Sequence, residues 1–255
     1  MRRKIGLLVA AFTVGITIAA GSSVLLGPHL LGSATSEQGT ASPRAVILDQ
    51  LSLTSPNPSF VQTATGTLEG AGYHVDYYAG DQVTVDLIRN LPAGNYDLIL
   101  FRSHVARLFT TSGQYTGDVM LFTNEDYDGS KYDAEQSVGR LGRVSLYPQS
   151  EKYFGILDQF IEQSLEGRFT KATVLLMGCD GARNDAMANA FLDSGADSFA
   201  SWNNEVSASH NDLTTEVLLQ RLVVDKLPLA QAVNATVGEV GSDPVYKSSL
   251  VSYPH

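Results

Sequence analysis

Hydrophobic positions along this chain gather into short apolar runs separated by amphipathic stretches. RAVILDQL (44–51) reads as an apolar strand ending near Asp49, YHVDYYA (73–79) as an alternating strand, and YDLILFRSH (96–104) as a buried one. ATVLLMG (172–178) and DSFASW (197–202) are two further strands. Between them PSFVQTATGTLEGAG (58–72) reads as a helix closed by glycine, and VDLIRNLP (85–92) as a short helix stopped by Pro92. YFGILDQFIEQSLEG (153–167), NDAMANAFLDSG (184–195), LTTEVLLQRLVVD (213–225) and LAQAVNATVGEVG (229–241) complete the predicted helices. Strands that alternate with helices imply right-handed crossovers and a mostly parallel sheet, so the expected class is α/β.

Residues 105–150 break that rhythm. They are rich in Gly, Tyr, Asp and Ser, with short apolar pieces such as VMLFT (119–123). A long excursion with room for a hairpin is expected, and loops of this length are uncommon unless functional. The tail DPVYKSSLVSYPH is expected to be irregular, with Tyr246 and Tyr253 packing on the domain rather than edging a pocket. No internal repeat or low-complexity tract is present.

The N-terminus changes the picture of a single soluble domain. Arg2, Arg3 and Lys4 precede an uncharged run from Ile5 to about Leu31. About 20 apolar residues span a bilayer, whereas the apolar core of a signal peptide is about 7–15 residues. Residues 1–31 are therefore expected to form an uncleaved transmembrane anchor in preference to a cleaved signal, with 32–43 as a small, polar linker and 44–255 as the folded domain. Basic residues stay on the cytoplasmic side, which puts the domain outside the cytoplasm, at the cell membrane or secreted if the segment is cleaved.

Formal net charge is -10, although the first 36 residues carry only basic charges, so the domain proper is more acidic still. Such a surface repels phosphate backbones, and nucleic acid is set aside as a partner. One cysteine excludes an internal disulfide framework and a cysteine-based zinc site, leaving one thiol.

That thiol, Cys179, ends one predicted strand, and His104 ends another. Active residues of parallel α/β sheets collect outside the carboxyl ends of the strands. If these two strands are neighbours, the imidazole can take the thiol proton or stabilise the thiolate. A helix starting just after Cys179 adds partial positive charge, and nearby backbone N–H groups can receive an oxyanion.

RSH at 102–104, GCDG at 178–181 and FASWNN at 199–204, in this order of elements, resemble the caspase-fold cysteine peptidases, which include caspases, gingipains, clostripain and CHAT domains. The resemblance covers roughly Arg44 to Ala235. It implies a three-layer α/β/α sandwich, a His104–Cys179 catalytic dyad, oxyanion donors at Val105, Gly178 and Cys179, and a pocket wall near Ser201 and Trp202. A peptide or protein would be the substrate. Three positions depart from the family pattern. Val105 stands where glycine is usual, Met177 lies two before the cysteine, and Asn203 replaces the arginine with which caspases clamp aspartate. Asp49, Asp180 and Glu205 are acids that would favour a basic substrate side chain.

Other readings stay open. A non-catalytic domain of the same fold would bind a partner at its surface. A class I amidotransferase-like enzyme would pair Cys179 with His210. His210, Asp212 and Glu205 would make a metal site, although a polar loop with Asp212 near a helix cap is the simpler expectation. No cofactor is expected. NEDYDGSKYD (124–133) has the acids of a calcium loop without EF-hand spacing. Asn234-Ala-Thr236 matches a glycosylation acceptor inside a predicted helix.

Overall fold

A computed structural model describes residues 42–110 and 112–254. The expected anchor 1–31 and most of the linker lie outside the described residues. Among the described residues no helix is long and apolar enough to cross a membrane.

The strands of the main sheet are β1 (Arg44–Asp49), β2 (His74–Ala79), β3 (Leu98–Arg102), β8 (Thr173–Met177), β9 (Ser198–Trp202) and β10 (Leu250–Tyr253). Their order is β10-β9-β8-β3-β1-β2, all parallel except β10. The expected mostly parallel α/β sheet is therefore present. Alternate side chains leave opposite faces of a strand, and β1 sends Val46 and Leu48 to one core and Ala45 and Ile47 to the other.

Helices cover both faces. α1 (Pro58–Gly70), α6 (Ala208–Leu219) and α7 (Leu229–Val240) bury Phe60, Leu68, Leu218 and Val233 on one side. α2 (Val85–Arg89), α4 (Asp158–Gln163) and α5 (Ala186–Asp193) bury Ile88, Phe160 and Phe191 on the other. There Phe191 lies 5.9 Å from Phe101 and 5.7 Å from Phe199, ring to ring.

The excursion holds the hairpin it has room for, and more, and three other expectations are corrected. β4 (Val105–Phe109), β5 (Tyr115–Asp126), α3 (Asp133–Ser137) and β6 (Leu141–Val144) occur there, β7 (Tyr153–Ile156) follows just after, and the strands form an antiparallel sheet of order β4-β5-β7-β6. β7 takes the first part of the helix expected over 153–167, because Tyr153 to Ile156 pair with Val144 to Leu141. Gly155 permits the close packing, since a Cβ there would meet Val144 Cγ1 at 2.5 Å. The tail is not irregular either: β10 adds to the sheet edge antiparallel to β9. Finally, α6 begins at Ala208 rather than near 213, so Asp212 is a buried helical residue and not a cap.

The carboxyl end of the sheet is locked by one cation. Arg102 is fully buried, and its Nε and Nη2 donate to the two oxygens of Asp212, each at 2.7 Å. Nη1 donates to Asp49 at 2.8 Å, and Nη2 also reaches the Ser55 carbonyl at 2.8 Å. Asn57, the N-cap of α1, donates to the same Asp212 at 2.9 Å. One guanidinium thus ties β1, β3 and α6 together. Replacing Arg102 with Met leaves two buried carboxylates facing each other. Urea unfolding should show a loss of about 3–5 kcal/mol, the usual cost of breaking a buried pair. A loss below about 1 kcal/mol would show that the network is not structural.

Candidate functional site

Parallel pairing sets the geometry of the site. β3 and β8 are hydrogen-bonded neighbours, with Arg102 opposite Met177. Two residues beyond the end of each strand come His104 and Cys179. Both line one small cavity of about 120 Å³, with Leu51, Ser55, Ser103, Met177, Gly178, Val206, Ala208 and Asn211.

The turn that carries Cys179 is shaped by close approaches. A Cβ on Gly178 would lie 2.1 Å from the Ser103 carbonyl oxygen, and one on Gly181 would lie 2.2 Å from Ser201 Oγ. Asp180 between them takes a left-handed conformation, φ 58°. Its carboxylate accepts from Arg107 at 2.9 Å and from Arg183 at 3.0 Å, which holds a strained residue in place.

The surroundings disfavour charge on both the thiol and the imidazole. Burial pushes the Cys179 thiol above its ordinary range, with the negative charges of Asp180 and Glu205 adding to the effect. The thiol exchanges long contacts with Val206, accepting from its N–H at 3.4 Å and donating to its carbonyl at 3.6 Å. Burial, and then the charge of Arg102, lower His104. His104 Nε2 lies 3.1 Å from Thr54 Oγ1, and its ring packs 5.7 Å from Phe122.

The three expected oxyanion donors differ. Gly178 N–H is already given to the Leu176 carbonyl at 3.1 Å. His104 N–H, next door, goes to Gln50 Oε1 at 2.9 Å. Val105 lies opposite Leu121 on β4, the edge strand, one residue beyond the bonded His104–Phe122 position, so its N–H points off the sheet edge. Val105 adopts no positive φ, so valine is unstrained there. Among the described residues, the Cys179 N–H meets no backbone acceptor.

A second recess of about 380 Å³ adjoins the thiol, lined by Val105, Ala106, Arg107, Phe109, Cys179, Asp180, Glu205 and Tyr246. Its acids are engaged: Arg107 bonds Asp180 and, at 2.8 Å, Glu205. Neither is therefore a free anion for a basic side chain. Asp49 lines neither recess. It is buried against Arg102 and accepts from Tyr77 at 3.0 Å. Ser201 and Trp202 are fully buried, not pocket walls. Ser201 Oγ donates to the Leu176 carbonyl at 2.5 Å, and Trp202 Nε1 to Asn211 at 2.9 Å. Asn203 is exposed and accepts from Ser249 N–H at 2.9 Å.

The alternative constellations do not assemble. His210 packs against Trp202, tilted by 53° with ring centres 5.5 Å apart, and bonds the Gly241 carbonyl at 3.2 Å, and it does not line the Cys179 cavity. Asp212 belongs to Arg102, and Glu205 to Arg107. In the 124–133 segment Glu125 pairs with Lys131 at 2.5 Å, and Asp128 accepts from Ser130 at 2.7 Å. No cluster of three or more His, Cys, Asp or Glu side chains able to hold a metal occurs among the described residues. Thr236 of the glycosylation motif is fully buried in α7.

Sequence reasoning passed over Arg107, Gln50 and Thr54, and it expected Tyr246 to pack on the domain, whereas Tyr246 edges the second recess. Arg102 carried a signal, because a cation closing the run LILF requires an anion, and Asp49 closes the neighbouring run. The tail is organised by buried Asp243, which accepts from Ser207 N–H and Oγ at 2.9 and 2.6 Å and from the N–H groups of Val245 and Tyr246 at 2.8 and 2.7 Å. This holds the tail that brings Tyr246 to the second recess.

No protein-family model matches the chain, and no curated protein matches it in sequence.

Two predictions follow from these electrostatics. With a raised thiol and no resting ion pair, alkylation of Cys179 by iodoacetamide should climb about tenfold per pH unit from pH 7 to 9. A plateau already reached near neutrality would mean a thiolate–imidazolium pair instead. For Asp243, burial alone would raise the carboxyl, but the bonds from Ser207, Tyr246 and Val245 pull it down to about 2 from the ordinary 3.8. A depressed carboxyl stabilises the fold above the unfolded value and loses that contribution as pH falls through the folded one. Asp243→Asn should therefore be less stable than the parent at pH 7, with the gap in urea midpoint closing as pH drops from about 4 toward 2. A gap independent of pH would contradict the assignment.

Proposed function

We propose that this chain is a caspase-like cysteine peptidase, tethered to a membrane through residues 1–31 with its α/β domain on the extracytoplasmic side. The observation that carries the proposal is the shared cavity of His104 and Cys179 at the aligned ends of β3 and β8. Helices on both faces of a mostly parallel sheet, with the two residues at neighbouring strand ends, support the fold that the RSH and GCDG motifs suggest.

In this reading the thiol is activated only when substrate is bound. With Nε2–H donating to Thr54, Nδ1 is the basic nitrogen of His104 and takes the Cys179 proton. Sγ bonds the substrate carbonyl carbon, and the oxygen becomes an oxyanion received by the N–H groups of Cys179 and Val105. The oxyanion collapses, the C–N bond breaks, and His104 passes its proton to the leaving amine. Water then attacks the thioester, which releases a carboxylic acid and restores the thiol.

A second reading rests on the bonds between the thiol and Val206, which leave Cys179 satisfied without His104. Under it the domain is non-catalytic and binds a partner. Turnover separates the two. The full chain should cleave members of a fluorogenic peptide library, Cys179→Ala should abolish cleavage, and His104→Ala should lower kcat by about 10²–10⁴-fold with the fold retained by circular dichroism. Cleavage that survives Cys179→Ala would refute the thiol mechanism, and absence of cleavage in the parent would favour the binding domain.

A further inference from the structure

We infer that the cavity between His104 and Cys179 receives the substrate side chain on the acyl side of the scissile bond, and that it selects small uncharged residues: Ala, Ser, Thr or Val. The inference rests on the peptidase reading above and adds the substrate class.

Placement follows from the oxyanion donors. Val105 lines the larger recess, so a carbonyl oxygen held by Val105 and Cys179 N–H points toward that side. The side chain of the same residue then leaves the thiol on the opposite side, into the cavity of about 120 Å³.

Selection follows from the lining. Leu51, Met177, Val206 and Ala208 are apolar, and apart from His104 no lining residue is ionisable in the ordinary range except the thiol itself. Asn211 is spent on Trp202 and on the Met177 carbonyl, and the Ser103 hydroxyl donates to the His104 carbonyl at 2.8 Å. The nearby charges, Arg102, Asp49 and Asp212, are locked on one another. A charged side chain would enter with no partner, at a large desolvation cost. Size disfavours rings, because an apolar cavity of about 150 Å³ is what admits benzene. The Ser55 hydroxyl has no hydrogen-bond partner among the described residues and offers one bond to Ser or Thr.

The test uses the full chain and five acetyl-tripeptide chloromethyl ketones that differ only at the acyl-terminal residue: Gly, Thr, Phe, Asp or Arg. Each reacts by forming an Sγ–CH₂ thioether as chloride leaves, the thiol proton passing through His104 to solvent. Alkylation of Cys179 is followed by mass spectrometry and normalised to each reagent's rate with a free thiol. The Thr reagent should exceed the Asp and Arg reagents by at least about a hundredfold and the Phe reagent by about tenfold. Ala208→Leu narrows the exposed mouth of the cavity with a good helix former, so it should cut the Thr rate while sparing the Gly reagent. If the Asp, Arg or Phe reagent matches the Thr reagent, or Ala208→Leu leaves the Thr rate unchanged, the inference fails while the peptidase reading stands. If no reagent modifies Cys179 faster than a free thiol, both fall together.

Discussion

The site depends on a buried positive charge. Arg102 sits at the end of an apolar strand, where desolvation would be prohibitive without partners. Asp49 on the neighbouring strand and Asp212 on α6 supply them, and Asn57 joins α1 to the same carboxylate. Satisfying one guanidinium fixes the relative heights of β1, β3 and α6 where the chain turns away from the sheet. His104 follows Arg102 by two residues, and Asn211, which lines the cavity, precedes Asp212 by one. The positions of the cavity walls are thus a consequence of the ion network. The network also lowers His104 through the charge of Arg102, after burial, and keeps the imidazole neutral.

Neutrality defines the proposed chemistry. A preformed thiolate would be open to any electrophile in solution. In the proposed mechanism the half-buried thiol, satisfied by Val206, stays quiet until a carbonyl displaces those long contacts. Asp180 contributes twice, by its left-handed backbone, which turns the chain sharply after Cys179, and by its charge, which disfavours the thiolate. Arg107 and Arg183 offset that charge and keep the acid from acting as a recognition site.

How much of this was legible in the sequence depended on the range of the contacts. β1, β3 and β8 announce themselves as apolar runs because both faces are buried, and the parallel sheet follows from their alternation with helices. His104 and Cys179 could be picked out as strand-end residues. The second sheet could not, because β7 pairs across the chain with β5 and β6, and YFGI alone has the periodicity of either a strand or a helix end. The start of α6 was hidden for a different reason. Ser207 to Asp212 is polar enough to pass for a loop, yet His210, Asn211 and Asp212 are buried because each finds a distant partner in Gly241, Trp202 or Arg102. The same blindness put Ser201 and Trp202 on a pocket wall, when both serve the core. Buried polar residues are read correctly only once their partners are known.

The central claim is that Cys179 and His104 act on one carbonyl group. The most direct measurement is the NMR titration of the His104 imidazole in the full chain, with and without a peptide aldehyde ending in alaninal. The chain has five histidines, and His104→Gln assigns the signal. The aldehyde should form a hemithioacetal at Cys179, and the His104 pKa should rise as its imidazole meets the new oxygen, with no response in Cys179→Ala. A hemithioacetal that leaves the His104 titration unmoved would contradict the account.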